Sequence, residues 1–106
     1  MTEFDPEKFE AKYVHYFEEL EQAYSAAYQD LHGEVDSAIL RPIDRRVLSE
    51  SEPFYEGDGG FRIELPEDPY ERAGRPGDRD RFETVLDELV AAIERELRRE
   101  FDFEDG

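Results

Sequence analysis

His15, Glu18 and Glu19 are the first residues of this chain whose types and spacing could do chemistry. An imidazole followed three and four positions on by carboxylates occupies neighbouring turns of a helix, a spacing that can hold a metal ion. A carboxylate-bridged dimetal centre would also need a Glu-x-x-His pair on each of two helices, and the position where that Glu would precede His15 is Lys12. The set therefore becomes a metal-binding or enzymatic site only if a neighbouring helix or a second copy adds Asp or Glu. Otherwise His15 is a surface histidine among the glutamates that crowd this chain. Gly57-Asp58-Gly59-Gly60 could cradle an anion on successive backbone amides. It lacks the lysine and following helix of a phosphate loop and the alternating ligands of a calcium loop, so a tight hairpin turn is the simpler expectation. Ser25, Ser49, Ser51 and Thr84 have no histidine near them in sequence and no nucleophile elbow around them. The absence of cysteine excludes disulfides, thiolate nucleophiles, Cys-ligated zinc and iron-sulfur clusters. No catalytic residue and no cofactor is assigned.

Thirty Asp and Glu stand against thirteen Lys and Arg in 106 residues, a formal charge of -17. A small domain needs a net charge of magnitude only about 2 to 8 for solubility. So many acids make paired carboxylates useless as a catalytic signal, because almost any surface contains them. They also disfavour nucleic-acid binding: Arg41, Arg45 and Arg46, and Arg95, Arg98 and Arg99, read as ion-pair partners of nearby acids at helical spacing. Imitation of nucleic acid by the acidic surface ranks below the other readings. No window approaches the roughly 18 apolar residues of a membrane span, and the opening Met1 to Asp5 has no basic or apolar leader region, so a soluble cytoplasmic protein is expected. Eight Phe and six Tyr argue for a folded chain despite the charge.

Asp5-Pro6 suits the start of a helix, with Asp as cap and Pro at the first position. Phe9, Tyr13, Tyr16, Phe17, Leu20, Tyr24, Ala27, Tyr28 and Leu31 then follow steps of three and four, predicting one helix over 6–32, roughly 40 Å long. Val35, Ile39, Leu40, Ile43, Val47 and Leu48 predict a second helix over 36–49, capped by Asp36 or Ser37 and kinked or split at Pro42. The period changes to two over 53–65, where Phe61, Ile63 and Leu65 alternate with Arg62 and Glu64, so a β-hairpin is expected. Residues 66–79 read as a Pro/Gly-rich connection. A last helix is expected over 80–101, opened by Asp80 and Glu83, and then an acidic tail over 102–106 with Phe103 as an anchor. The fold class is α+β, mainly helical: two long antiparallel amphipathic helices, a kinked helix and a β-hairpin in a single domain. Two helices of this length carry more apolar stripe than a small hairpin covers, which points to a protein partner or a homodimer. Tyr16, Tyr24, Phe54 and Tyr55 are the candidate partner-binding residues, since aromatic rings suit a face that is dry in a complex. A non-enzymatic interaction module is thus the leading expectation; a metal-binding protein or enzyme built on His15, Glu18 and Glu19 is the alternative.

Three stretches together resemble a known family: Phe4 to Phe17 (Phe-Asp-Pro-Glu-Lys-Phe-Glu-x-Lys-Tyr-Val-His-Tyr-Phe), Ser51 to Gly59 (Ser-Glu-Pro-Phe-Tyr-Glu-Gly-Asp-Gly), and Glu64 to Tyr70 (Glu-Leu-Pro-Glu-x-Pro-Tyr). They are similar to a family of small acidic haloarchaeal proteins of unknown function, over nearly the full length. That resemblance implies a high-salt cytoplasm and carries over no catalytic residue. Self-repulsion by seventeen uncompensated charges destabilises a compact state, and salt screens it as the Debye length falls to about 3 Å at 1 M. The melting temperature, followed by circular dichroism, is therefore expected to rise from dilute buffer to molar KCl. A salt-independent melting temperature would contradict the expected solvent.

Overall fold

In the computed structural model, residues 4–57, 60–101 and 103 are described. The Asp5 carboxylate accepts a hydrogen bond from the Glu7 backbone N–H at 2.9 Å, and Pro6 takes the first helical position of α1 (Pro6–Phe9). In place of one helix over 6–32, the chain forms α1, a second turn α2 (Lys12–His15) and then α3 (Phe17–Leu31). The breaks fall at Ala11 (φ -113°, ψ 48°) and Tyr16 (φ -128°, ψ 23°), both outside helical geometry. Tertiary contacts override the helical period here. Tyr16 turns inward, and its hydroxyl accepts the Asp5 backbone N–H at 2.9 Å. Lys12 turns in with it, while Tyr13 and Phe17, assigned by period to the apolar stripe, are left exposed. The buried face of α3 consists of Leu20, Ala23, Ala27 and Leu31, with Tyr24 and Tyr28 half-buried beside it.

The Asp36 carboxylate accepts the Ala38 N–H at 2.9 Å and caps α4 (Ser37–Pro42). Pro42 has no N–H to extend the ladder, and past it the chain widens into one π-helical turn, Ile43–Val47, and closes with a 3-10 turn, Leu48–Glu50. The hairpin pairs β1 (Glu52–Gly57) antiparallel with β2 (Gly60–Glu64), placing Pro53 opposite Ile63 and Tyr55 opposite Phe61. Those four face the core, whereas Glu52, Phe54, Arg62 and Glu64 lie on the outer face, as a period of two requires. A register shift between Tyr55 and Gly57 leaves Glu56 unopposed, and Gly57 takes φ 92°, a conformation that favours glycine. Asp58 and Gly59, the centre of the tight turn expected over 57–60, lie outside the described residues.

The 66–79 connection contains a helical turn of its own, α5 (Pro69–Arg72). Tyr70 holds it in place: its ring meets Phe82 edge-on at 5.1 Å and its hydroxyl donates to the Gly77 carbonyl at 2.6 Å. The last helix, α6 (Arg79–Glu100), starts one residue earlier than expected, with Asp78 accepting the Arg81 N–H at 2.8 Å as its cap. It packs on α3, α4, α5 and β2. Helices α3 and α6 run antiparallel. Tyr16, at the start of α3, meets Phe101 just past the end of α6, while Val35 and Asp36, past the end of α3, line one cleft with Arg81 and Val85. The fold is α+β and mainly helical, with a two-stranded antiparallel hairpin. Phe103 donates its backbone N–H to the Arg98 carbonyl at 2.7 Å and stacks near Tyr55 at 5.7 Å; Asp102 and residues 104–106 of the expected tail lie outside the described residues.

Glu96 is the one buried carboxylate side chain among the described residues. Burial and a hydrogen bond to Asp30 push its carboxyl above the usual range, while that same bond holds Asp30 below it. Below the raised Glu96 value the proton of this bond sits on Glu96, which donates to ionised Asp30; Arg95 lies 3.3 Å from Asp30 and Arg99 3.4 Å from Glu96. The linkage has a definite sign. The folded chain binds more protons at Glu96 than the unfolded chain, so this stabilisation is complete below the ordinary glutamate value of 4.5 and is lost as pH rises through the raised folded value. The share from Asp30 runs oppositely and is lost only as pH falls below the ordinary aspartate value of 3.8. Glu96→Gln supplies an amide donor at every pH. Thermal melts from pH 4.5 upward are expected to show a stability advantage for the variant that grows with pH; a variant less stable than wild type at neutral pH and above would refute the shared proton.

Candidate docking surface

Lys12 decides the geometry of the exposed face. It is only 4% exposed, and its ammonium lies 2.8 Å from Glu52 Oε2. The rings of Phe54, Phe9 and Tyr13 surround it at 4.9, 5.3 and 5.5 Å from Nζ to centroid. A buried ammonium needs such compensation, here one carboxylate and three π faces, while its aliphatic stem fills apolar space. On the far side of Phe54 the Arg62 guanidinium stacks at 4.9 Å and bonds Glu56 at 3.0 Å and Glu64 at 2.9 Å. The hairpin's outer face is thereby tied to α2.

With Lys12 inside, the other side of the α2 turn faces out. Tyr13, Val14 and Phe17 are 55%, 80% and 52% exposed. Tyr13 and Phe17 border a groove of about 340 Å³ between the α2–α3 corner and the 3-10 turn. Tyr13, Phe17, Leu20, Tyr24, Leu48 and Pro53 make its walls apolar, and Glu21, Ser49 and Ser51 sit at its edges. The hydroxyls there are already engaged. Ser51 Oγ donates to the Leu48 carbonyl at 2.7 Å, Ser49 Oγ donates to the Arg45 carbonyl at 2.9 Å, and Tyr24 shares a 3.2 Å hydrogen bond with Ser51. Burial pushes the Tyr24 phenol up to about 12, so it stays neutral at ordinary pH. Burial, and then the Glu52 charge, also raises Tyr13. Nothing in this lining activates a serine: a nucleophile needs an adjacent base, and both serines donate to backbone carbonyls. The lining of this groove is mainly apolar.

The four aromatic residues expected to bind a partner occupy three different places. Tyr16 is 4% exposed and belongs to the core, stacked near Phe4 at 5.8 Å and edge-on to Phe101 at 4.9 Å. Tyr55 is half-buried against Phe4 at 4.7 Å and Phe61 at 5.3 Å. Tyr24 lines the apolar groove. Phe54 and Tyr55 together border a second groove of about 430 Å³ with Pro6, Glu10 and Lys12. His15 and Glu18 are exposed and Glu19 half-buried on α2 and α3, and among the described residues no group of three or more His, Cys, Asp or Glu converges as a metal site. Sequence reasoning passed over Val14 and Lys12. A signal was present: Tyr13-Val14 and Tyr16-Phe17 are adjacent apolar pairs, and adjacent residues cannot share one face of a helix.

Fold and surface together define a mainly helical α+β chain with an exposed apolar groove. The chain belongs to a family of unknown function (DUF5783), matched over residues 1–104. No curated protein and no solved structure matches it. No helix among the described residues is long and apolar enough to cross a membrane.

Removing the Glu52 charge leaves the Lys12 ammonium among rings with a weaker acceptor. Glu52→Gln is expected to lower the unfolding free energy by about 1–2 kcal/mol in urea titrations, the lower part of the range for a charged hydrogen bond because Glu52 is half in water. Glu64→Gln, at the exposed Arg62 pair, should leave the midpoint nearly unchanged. Equal effects would mean that the Lys12 pair is no stronger than a surface contact.

Proposed function

We propose that this protein is a non-enzymatic interaction module of a salt-rich cytoplasm, which docks an apolar segment of another protein in the groove beside Tyr13, Val14 and Phe17. The observation that carries the reading is the exposure of Tyr13 and Phe17 along a groove with apolar walls, with Val14 exposed on the same turn. Exposed single hydrophobes are common on any surface; a cluster continuous with a concave apolar lining marks a binding site. The engaged hydroxyls favour binding over catalysis, and the charge of -17 supports the high-salt setting.

Residues kept for binding add little to folding. Tyr13→Ser with Phe17→Ser is expected to leave the helical signal intact and to lower stability by about 1–2 kcal/mol, chiefly through the lost contact between the Tyr13 ring and the Lys12 ammonium. The same double variant should lose a specific partner that the wild-type chain retains in affinity capture from its own cell extract at high salt. Identical capture profiles for the two folded proteins would reject the groove as a docking site.

A further inference from the structure

We infer that the segment held by this groove belongs to a protein partner and carries Lys or Arg beside its apolar anchor, an inference that rests on the docking function proposed above. The apolar groove does not end at Phe17 and Tyr24. Through Glu21 it runs into an adjoining depression of about 380 Å³ lined by Glu18, Glu21, Gln22 and Ser25. Among the described residues neither Glu18 nor Glu21 has an ion-pair partner, so both present uncompensated carboxylates next to an apolar wall. An occupant with one large apolar side chain in the groove and a cation one helical turn or less away satisfies both surfaces at once.

A second copy fits less well. A symmetric interface through this groove would bring the acidic depressions of two chains of charge -17 toward each other, and like charges in juxtaposition oppose association. Salt limits the range of the attraction without abolishing it. With a Debye length of about 3 Å at 1 M, only cations in contact with Glu18 or Glu21 keep their interaction. The charge therefore selects the occupant at contact and does little to steer it from a distance.

The test uses the full chain and three fluorescent synthetic peptides of one length: Leu and Phe on one helical face with Lys and Arg flanks, the same peptide with Glu flanks, and the Lys/Arg peptide with Ser in place of Leu and Phe. Anisotropy titrations in molar KCl, where long-range attraction to the acidic chain is screened, are expected to show binding of the first peptide alone. Glu18→Gln with Glu21→Gln, both exposed, should weaken it about three- to tenfold. Tyr13→Ser with Phe17→Ser should remove binding. Equal affinity for Lys/Arg and Glu flanks, abolished by the Tyr13 and Phe17 changes, would overturn the charge preference and leave the docking reading standing. A dimer in light scattering that these two changes convert to monomer would make a second copy the occupant and overturn the inference. Failure of all three peptides to bind a monomeric chain would overturn the inference and the docking reading together.

Discussion

Phe4 joins the two ends of the chain to the hairpin, and the rest of the structure depends on that junction. Its ring lies 4.7 to 5.8 Å from those of Phe9, Tyr16, Tyr55, Phe61, Phe101 and Phe103. These residues come from α1, the α2–α3 corner, both strands and the segment after α6, so one aromatic cluster closes the chain end to end. Aromatic pairs in tilted and edge-on arrangements contribute about 0.5–1.5 kcal/mol each beyond their burial. A two-stranded hairpin is marginal by itself, and here Tyr55, Phe61 and Ile63 bury its inner face against this cluster and α6.

The cluster also explains why the first helix is broken. An unbroken helix would place Tyr13 on the same stripe as Phe9, Tyr16 and Leu20. Bringing Phe9 and Tyr16 both into the cluster, with the Tyr16 hydroxyl on the Asp5 N–H, rotates the intervening turn and sends Lys12 inward. The ammonium is tolerated because Glu52 and three rings receive it. The consequence appears on the opposite side of the turn, where Tyr13, Val14 and Phe17 meet solvent beside the groove. Core packing and surface exposure are two sides of one rotation.

Charge is distributed by the same logic. Arg62, Arg72, Arg75 and Arg95 each pair with an acid on the surface, and the buried Glu96, its carboxyl raised by burial, is accommodated by its hydrogen bond to Asp30. Glu18 and Glu21 are left uncompensated beside the apolar groove, which makes that part of the surface chemically distinct from the paired hairpin face.

Much of the fold was legible in the sequence because it rests on local rules. Asp5-Pro6, Asp36 and the alternation of Phe61, Ile63 and Leu65 with polar residues specify helix starts and a half-buried strand through backbone chemistry that depends on near neighbours alone. The break at Pro42 followed from its missing N–H. The candidate site was not legible in the same way. Of the residues expected to bind a partner, Tyr16 lies in the core, while Tyr24 and Phe54 line two separate grooves; Tyr13 and Phe17, which the helical period assigns to the apolar stripe, are exposed. Helical periodicity assumes an unbroken helix, whereas the break at Ala11 and Tyr16 accompanies ring contacts of Phe9, Lys12 and Tyr16 with Phe61, Phe54 and Phe101, far away in sequence. Composition determined the charge and the local pattern determined the elements. Only the tertiary structure decided which side of α2 faces water, because that choice depends on ring contacts and an ion pair between segments that no local rule connects.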